Sequence, residues 1–210
     1  MKNVSRRNAM QIAIGLVGGV AFGSGAALAN DNPMPEELRR ALEREPNSPV
    51  LGNGTGDITF TEFFDYNCPF CRASVPDVHR LISEDKKLRV VFREWPVFGE
   101  GSLVATKVSL ATLKQGKYWK FHSALMSIKG KADEKSAMAV ARQIGVDVDK
   151  LRHDMESAAV LEQIDQTMRL ADHIGLMGTP TYIAGNSVLF GKQSFSDLRG
   201  LIARGRKALL

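Results

Sequence analysis

The sequence predicts an α/β fold with a mixed central sheet that a long helical block divides into two halves. Residues 57–95 read as a strand, a helix and a second strand, and residues 181–208 read as a hairpin followed by a helix. Between them, residues 101–175 show helical periodicity and almost no strand signal. A βαβ unit requires a parallel strand pair with a right-handed crossover, and the hairpin adds antiparallel strands, so the sheet is expected to be mixed.

Local patterns justify each element in chain order. Before the block we predict a helix over 35–45, a strand over 57–66, a helix over 69–86 and a strand over 87–95. In the block we predict helices over 101–115, 117–128, 133–144, 148–155 and 158–174. After it we predict strands over 181–184 and 187–190 and a helix over 194–208. Glycines mark several of the breaks, and Gly185-Asn186 is typical of a hairpin turn.

The N-terminus predicts export. Residues 1–29 combine a basic start, an apolar and small-residue stretch over 12–28, and small residues before a cleavage point after Ala29, as in a signal peptide. Residues 5–10 resemble a twin-arginine signal, so the sequence does not decide between export by the Sec route and export by the twin-arginine route. An uncleaved membrane anchor is the alternative, and both place the body of the protein outside the cytoplasm, in the periplasm.

The net charge that remains when the basic N-terminus is left out does not indicate a nucleic-acid partner. The 210-residue chain has a formal net charge of +5, and three of its cationic side chains lie in the first seven residues, without a neighbouring acid. We divide the chain into the signal peptide, an N-terminal arm over 30–51, a core formed by 52–98 and 176–210, and a helical insertion over 99–175. The arm is interpreted as a cap on the domain, with homo-oligomerisation through residues 30–51 as the alternative.

Only two cysteines occur, Cys68 and Cys71, and their spacing favours redox chemistry over a structural role. A disulfide between them closes a very small loop and stabilises little. Pro69 suits the first position of the following helix, which makes Cys68 its N-cap, where the helix dipole and free N–H groups favour a thiolate. We expect Cys68 to be exposed at the helix tip and to be the attacking or attacked sulfur.

Cys71 is expected to be buried and to resolve the mixed disulfide, because it begins the apolar stripe of this helix together with Val75, Val78 and Ile82. Metal binding is the rival chemistry. Zinc would need two further ligands and the chain has no second cysteine pair, so no metal or other cofactor is expected, with copper(I) favoured over zinc if one binds.

Glu62 is the third candidate site residue. Alternation along the first strand places Glu62 on the same face as Ile58, Phe60 and Phe64, beneath the cysteine helix. A buried carboxyl group has a raised pKa and suits proton exchange with Cys71. The alternatives are an ion pair with a lysine or a hydrated strand end. Asp65 is interpreted as a turn residue.

Four segments resemble the DsbA-like branch of the thioredoxin superfamily. They are the cysteine segment 62–71, Pro76 in the following helix, the stretch 118–125 in the insertion, and Gly178-Thr179-Pro180-Thr181 near the end of the chain. The resemblance covers roughly residues 52–205 and implies a thioredoxin fold with a helical insertion between the βαβ and ββα halves. The Pro-Phe dipeptide between the cysteines also resembles exported relatives of the suppressor of copper sensitivity protein C type.

The resemblance implies further site residues. Thr179 and Pro180 would form a cis-proline loop that faces the cysteines and binds client peptide, with residues 97–101 beside it. Trp119, Phe121 and His122 are expected to pack in the insertion core. Strongly oxidising members carry His between the cysteines where this chain has Phe70, so Pro69 and Phe70 are expected to tune a less oxidising couple.

The sequence therefore predicts an exported protein thiol–disulfide oxidoreductase that forms disulfides. An isomerase or reductase of the same fold, or a periplasmic copper(I)-binding protein, are the alternatives. Its expected partners are client proteins with thiols or disulfides and a membrane redox partner that reoxidises or reduces the cysteine pair.

Overall fold

A computed structural model describes residues 28–29 and 34–209, and its centre is a six-stranded mixed sheet. The strands are β1 (Leu28–Ala29), β2 (Val50–Gly52), β3 (Ile58–Phe64), β4 (Leu88–Glu94), β5 (Thr181–Ala184) and β6 (Ser187–Phe190). Their order across the sheet is β1-β6-β5-β3-β4-β2. The β3–β4 pair is parallel and every other pair is antiparallel, which confirms the predicted mixed sheet.

Eight α-helices are present in the described residues. They are α1 (Glu36–Glu43), α2 (Pro69–Glu84), α3 (Glu100–Thr112), α4 (Tyr118–Met126), α5 (Glu134–Gln143), α6 (Val148–Asp154), α7 (Ala158–His173) and α8 (Phe195–Ala208). A 3₁₀ turn over Leu113–Gln115 follows α3. Helices α3 to α7 form the predicted helical insertion between the two halves of the sheet. Among the described residues, no helix combines the length and apolar character needed to cross a bilayer.

Strand β3 is central, and all seven of its side chains are buried. Alternation directs Ile58, Phe60 and Phe64 into the large core, which they share with α2, α8 and most of the insertion. Phe63 points to the opposite face, where a smaller core includes side chains of α1 and α7. Glu62 therefore lies on the same face of the sheet as the cysteine helix.

Residues 34–52 form a layer on the rest of the domain. Leu42 of α1 is buried against the smaller core, and the buried Arg93 guanidinium donates hydrogen bonds to the carbonyls of Ala41 and Leu42. Residues 50 and 51, which the sequence analysis places in the arm, belong to β2 and pair with β4. Leu42 on the apolar face of α1 is thus covered by its own chain.

The signal-peptide prediction concerns residues 1–29, and all but two of these lie outside the described residues. Leu28 and Ala29 form β1 and pair with Val188 and Ser187 at the edge of the sheet.

Candidate active site

The N-terminus of α2 brings the two cysteines together. Cys68 is the N-cap with an extended backbone, Pro69 takes the first helical position, and the Cys71 N–H donates a hydrogen bond to Cys68 Sγ at 3.3 Å. Both cysteines are thiols rather than a disulfide in this structure. Cys71 is fully buried on the apolar side of α2, as predicted from its helical spacing.

Cys68 is not exposed, which corrects the expectation from sequence. The residue is only 1% exposed, because the loop before β5 lies across it. Cys68 Sγ is 3.3 Å from the Thr179 carbonyl oxygen, to which the thiol donates a hydrogen bond. The neighbouring side chains on α2, Pro69 and Phe70, are exposed instead. The loop that closes over the sulfur is more than a hundred residues away in the chain, so local helix geometry could not reveal it.

The two thiols have opposite acidities. The hydrogen bond from the Cys71 thiol is the main reason that the pKa of Cys68 falls from 9.0 to about 6, with further help from Thr179 and the N–H groups of Phe70 and Cys71. The Thr179 hydroxyl is buried without a partner among the described residues, so it is free to donate to a Cys68 thiolate. Burial raises the pKa of Cys71 far above its ordinary value. Cys68 can therefore ionise and act as a nucleophile near neutral pH, whereas Cys71 stays protonated.

Glu62 is buried in the same core, opposite Tyr182 on β5 and Phe92 on β4. Burial, followed by the negative charge of Cys68, raises the pKa of Glu62 from 4.5 to about 8. Within residues 34–209 the Glu62 carboxyl group has no salt bridge, so the lysine ion pair considered from sequence does not form. The negative charge of Glu62 also contributes to the raised pKa of Cys71, after the larger effect of burial.

The loop over Cys68 has the backbone that the resemblance implies. The Thr179–Pro180 peptide bond is cis. The Pro180 carbonyl accepts a hydrogen bond from Gly191 N at 2.8 Å, and the Thr181 hydroxyl donates to the Gly178 carbonyl at 2.7 Å. These bonds hold the loop on the end of the β5–β6 hairpin, so the sheet positions Thr179 and Pro180 beside Cys68.

Asp65 has a larger role than the turn residue expected from sequence. Its buried carboxylate accepts hydrogen bonds from Asn67 N, Val97 N, Phe98 N and Ser102 Oγ. The Asp-x-Asn sequence before Cys68 signals only the first of these, an Asx turn. The other three donors come from the segment after β4 and from α3, which are brought there by the fold.

A further buried carboxyl group, Glu94, is not among the site residues that the sequence predicts. It accepts hydrogen bonds from Ser109 Oγ at 2.8 Å and Tyr66 OH at 3.2 Å, and Tyr66 OH lies 3.3 Å from His122 Nδ1. Burial raises the pKa of Glu94 to about 8 and lowers the pKa of His122 to about 3. The same alternation that predicts Glu62 inside, applied to Leu88, Val90, Phe92 and Glu94, would have found it.

The insertion contacts the active site directly. Asn67, next to Cys68, exchanges two hydrogen bonds of 2.8 Å with the backbone N–H and C=O of Ala132. Phe121 and His122 lie in the core, as expected, and Trp119 is half-buried and stacks on His79.

In the described part of the chain, no three His, Cys, Asp or Glu side chains cluster as metal ligands would.

This arrangement suits thiol–disulfide exchange. An acidic thiol is a good nucleophile near neutral pH and, once in a disulfide, a good leaving group. A neighbouring thiol of high pKa needs a base before it can attack, and a buried carboxyl group of pKa about 8 can exchange that proton.

Comparisons with known proteins agree with this geometry. The model of the DSBA-like thioredoxin domain family matches residues 59–203. A thioredoxin-like oxidoreductase from Silicibacter pomeroyi DSS-3 is 45% identical, with a TM-score of 0.79 over 81% of this chain and 98% of that one. The thiol-disulfide exchange protein alpha-DsbA2 from Wolbachia pipientis is 29% identical, with a TM-score of 0.74 over 80% of this chain and 92% of that one.

More distant proteins share the fold or part of the sequence. Proteus mirabilis ScsC, at 22% identity, has the same fold with a TM-score of 0.75 over 82% of this chain and 78% of that one. The thiol:disulfide interchange protein DsbA of Bordetella parapertussis is 26% identical over 66% of this chain and 68% of its own length. The Na(+)/H(+) antiporter NhaA 1 of Salinispora arenicola is 24% identical over 73% of this chain, which spans only about a quarter of that relative's length (24%).

Proposed function

Because the chain belongs to the DSBA-like thioredoxin family, we propose that it is an exported thiol–disulfide oxidoreductase that forms disulfide bonds in periplasmic client proteins through Cys68 and Cys71. The observation that carries this proposal is the acidic Cys68 thiol, hydrogen-bonded to Cys71 at a helix N-terminus and covered by the Thr179–Pro180 loop. Stabilising the Cys68 thiolate stabilises the reduced protein, and a couple with a stabilised reduced form is the more oxidising one.

The oxidative reaction begins with the Cys68–Cys71 disulfide. A client thiolate attacks Cys68 Sγ, the Cys68–Cys71 bond breaks, and the sulfur of Cys71 leaves with the electron pair and takes a proton from Glu62. A second client thiolate then attacks the client sulfur of the mixed disulfide and releases Cys68 as a thiolate. The client loses two electrons to form its disulfide, and the cysteine pair gains them. A membrane redox partner that accepts these two electrons would restore the enzyme.

Glu62 suits this proton transfer because its charge state responds to that of Cys68. The Cys68 thiolate is one of the two causes that raise the pKa of Glu62. In the mixed disulfide Cys68 carries no charge, so this cause disappears and the pKa of Glu62 falls. In the reverse reaction, Glu62 would therefore ionise more readily at the step in which Cys71 must lose its proton and attack.

Thr179 and Pro180 are proposed to hold the client peptide, and Pro69 and Phe70 to tune the redox potential. Thr179 carries a second task here, since its free hydroxyl lies where it can stabilise the Cys68 thiolate. Phe70 supplies no charge between the cysteines, so backbone N–H groups and the Cys71 thiol must lower the pKa of Cys68 without help from an imidazolium.

The test is oxidation of a dithiol peptide by the purified, disulfide-bonded protein. Cys68→Ser should abolish the reaction, whereas Cys71→Ser, incubated with a peptide disulfide, should accumulate a mixed disulfide at Cys68. Thiol trapping in cells then gives the direction: a mostly oxidised pair supports the oxidase, and a mostly reduced pair supports an isomerase or reductase. Loss of stoichiometric copper(I) with either substitution, and no exchange activity in the parent protein, would replace the enzyme with a copper-binding protein.

A further inference from the structure

The carboxylate of Asp65 joins the residue that precedes the cysteines to a separate segment of the surface. Oδ1 accepts from Asn67 N at 2.6 Å and from Ser102 Oγ at 2.7 Å, and Oδ2 accepts from Val97 N at 2.8 Å and Phe98 N at 3.0 Å. The residue is 1% exposed. A buried carboxylate with four donors is stable in a single geometry.

Asp65 connects two segments with different roles, the turn 65–68 and the segment that contains Val97 and Phe98. On one side, the turn 65–68 ends at Cys68, whose N–H donates to the Asp65 carbonyl at 3.1 Å. On the other side, Val97 and Phe98 contribute only backbone N–H groups to Asp65, and their side chains are 42% and 54% exposed. The hydrogen bonds that Val97 N and Phe98 N donate to Asp65 therefore fix the backbone carrying these two apolar side chains relative to the turn that ends at Cys68.

Two further exposed apolar side chains are close in the chain to Cys68 or to the Thr179 loop that covers it. Phe70, between the cysteines, is 55% exposed, and Met177, two residues before Thr179, is 87% exposed. We name Phe70, Val97, Phe98 and Met177 the apolar rim. All four are linked to the surroundings of Cys68, either through the chain or through the hydrogen bonds to Asp65, and exposed apolar side chains beside a reactive group favour a binding surface. Since Cys68 reacts covalently with a sulfur of its partner, the occupant that fits is an extended peptide whose cysteine has apolar neighbours.

We propose that Asp65 is a positioning residue for client selection, which holds the Val97–Phe98 part of the apolar rim in register with Cys68. This role presupposes the thiol–disulfide exchange proposed above and adds to it a preference for apolar residues beside the client cysteine. Asp65 does not contact the client; it acts through the backbone of Val97 and Phe98.

The chemistry of the carboxylate suggests two graded substitutions. Asp65→Ala removes the acceptor for all four donors. Asp65→Asn keeps the shape but replaces one oxygen by an NH₂ group, and in either amide orientation at least one backbone N–H faces that group without an acceptor. The alanine variant should release the Val97–Phe98 segment, and the asparagine variant should release it in part.

The experiment compares two disulfide substrates of the reduced protein: a peptide disulfide whose cysteine is flanked by Leu and Val, and oxidised glutathione. The kcat/KM for the peptide disulfide divided by that for oxidised glutathione should fall about tenfold in Asp65→Ala, mainly because KM for the peptide rises. In Asp65→Asn this ratio should fall by a smaller factor. Asp172→Asn, which removes the same charge from an exposed position on α7, should leave the ratio unchanged.

A double variant, Val97→Ala with Phe98→Ala, should lower the ratio as well, and adding Asp65→Ala to it should have little further effect because both act on one contact. The proposal is overturned if Asp65→Ala and Asp65→Asn slow both substrates equally, if neither changes the ratio, or if the effects multiply in the combined variant. If Asp65→Ala does not fold, Asp65→Asn and the double variant decide the matter. A parent protein inactive on both substrates would instead refute the proposed function itself.

Discussion

Replacing Cys71 by alanine should make Cys68 a weaker acid. The pKa of Cys68 is about 6 rather than 9.0, a difference worth ~4 kcal/mol, and the hydrogen bond from the Cys71 thiol is its largest cause. A hydrogen bond to a charged group contributes ~1.5–3 kcal/mol, or about one to two pKa units. The Cys71→Ala variant keeps the backbone N–H bond to Cys68 Sγ, so we expect a pKa of about 7 to 8.

The assay is the rate at which iodoacetamide alkylates Cys68 as a function of pH. Cys68 is then the only cysteine in the chain, so the titration belongs to it alone. At pH 6 about half of Cys68 is thiolate in the parent protein, so the variant should react about 5- to 50-fold more slowly there and about equally fast at pH 9. Cys71→Ser, which keeps a hydroxyl donor, should show a smaller rise in pKa.

Two results would refute this reasoning. An unchanged pKa in Cys71→Ala would mean that the backbone N–H groups and Thr179, rather than the Cys71 thiol, stabilise the thiolate. A parent protein whose Cys68 titrates near 9 would remove the basis of the proposed nucleophile altogether.

Three further predictions follow from the other groups at the site. Glu62→Gln should slow release of the mixed disulfide by Cys71 by about 10²-fold or more, as loss of a general base does, measured by stopped-flow thiol exchange. Phe70→His should place an imidazolium beside Cys68, lower its pKa, and make the couple more oxidising by about 30 mV for each ~1.4 kcal/mol, measured against a glutathione buffer. Glu94→Gln should change the pH dependence of folding: the raised pKa of Glu94 contributes stability below pH 4.5 that is lost as pH rises toward 8, so the parent should lose up to ~1.4 kcal/mol per pH unit relative to the variant over that range.

Each of these has a matched comparison. For Glu62→Gln, exposed Glu84→Gln on α2 should leave the release rate unchanged, and an equal rate in Glu62→Gln would assign the proton to another group. Phe70→Tyr should leave the potential close to that of the parent, whereas a shift equal to that of histidine would exclude charge as its cause. For Glu94→Gln, the slope against pH is the readout, because a lost hydrogen bond alone shifts stability by a constant amount; parallel curves from pH 5 to 8 would contradict the prediction.

Properties that depend on residues close in the chain are predictable from the sequence. The helix N-cap at Cys68, the first-turn Pro69 and the inward position of Glu62 follow from helical and strand periodicity. Every predicted helix and strand is present with boundaries close to those observed. Strands β1 and β2 are absent from the prediction: residues 28–29 fall in the predicted signal peptide, and Val50–Gly52 is too short for a periodic pattern and is recognisable only by its pairing with β4.

Properties that depend on a partner far away in the chain are not predictable from local patterns. Helix capping alone predicts an exposed Cys68, whereas in the structure the loop containing Thr179 covers it. The local sequence predicts only a turn residue at Asp65, whereas its carboxylate accepts three of its four hydrogen bonds from residues more than thirty positions later.

The sequence by itself determined which sulfur begins a helix, which sulfur is buried in its apolar stripe, and that a carboxyl group lies beneath them. Those properties follow from periodicity and capping, which act over a few residues. Only the tertiary structure decided how acidic each group is and which surface surrounds the reactive sulfur. Desolvation and hydrogen bonding depend on every atom packed around a group, and at Cys68, Asp65 and Glu94 most of those atoms come from elements that are distant in the chain.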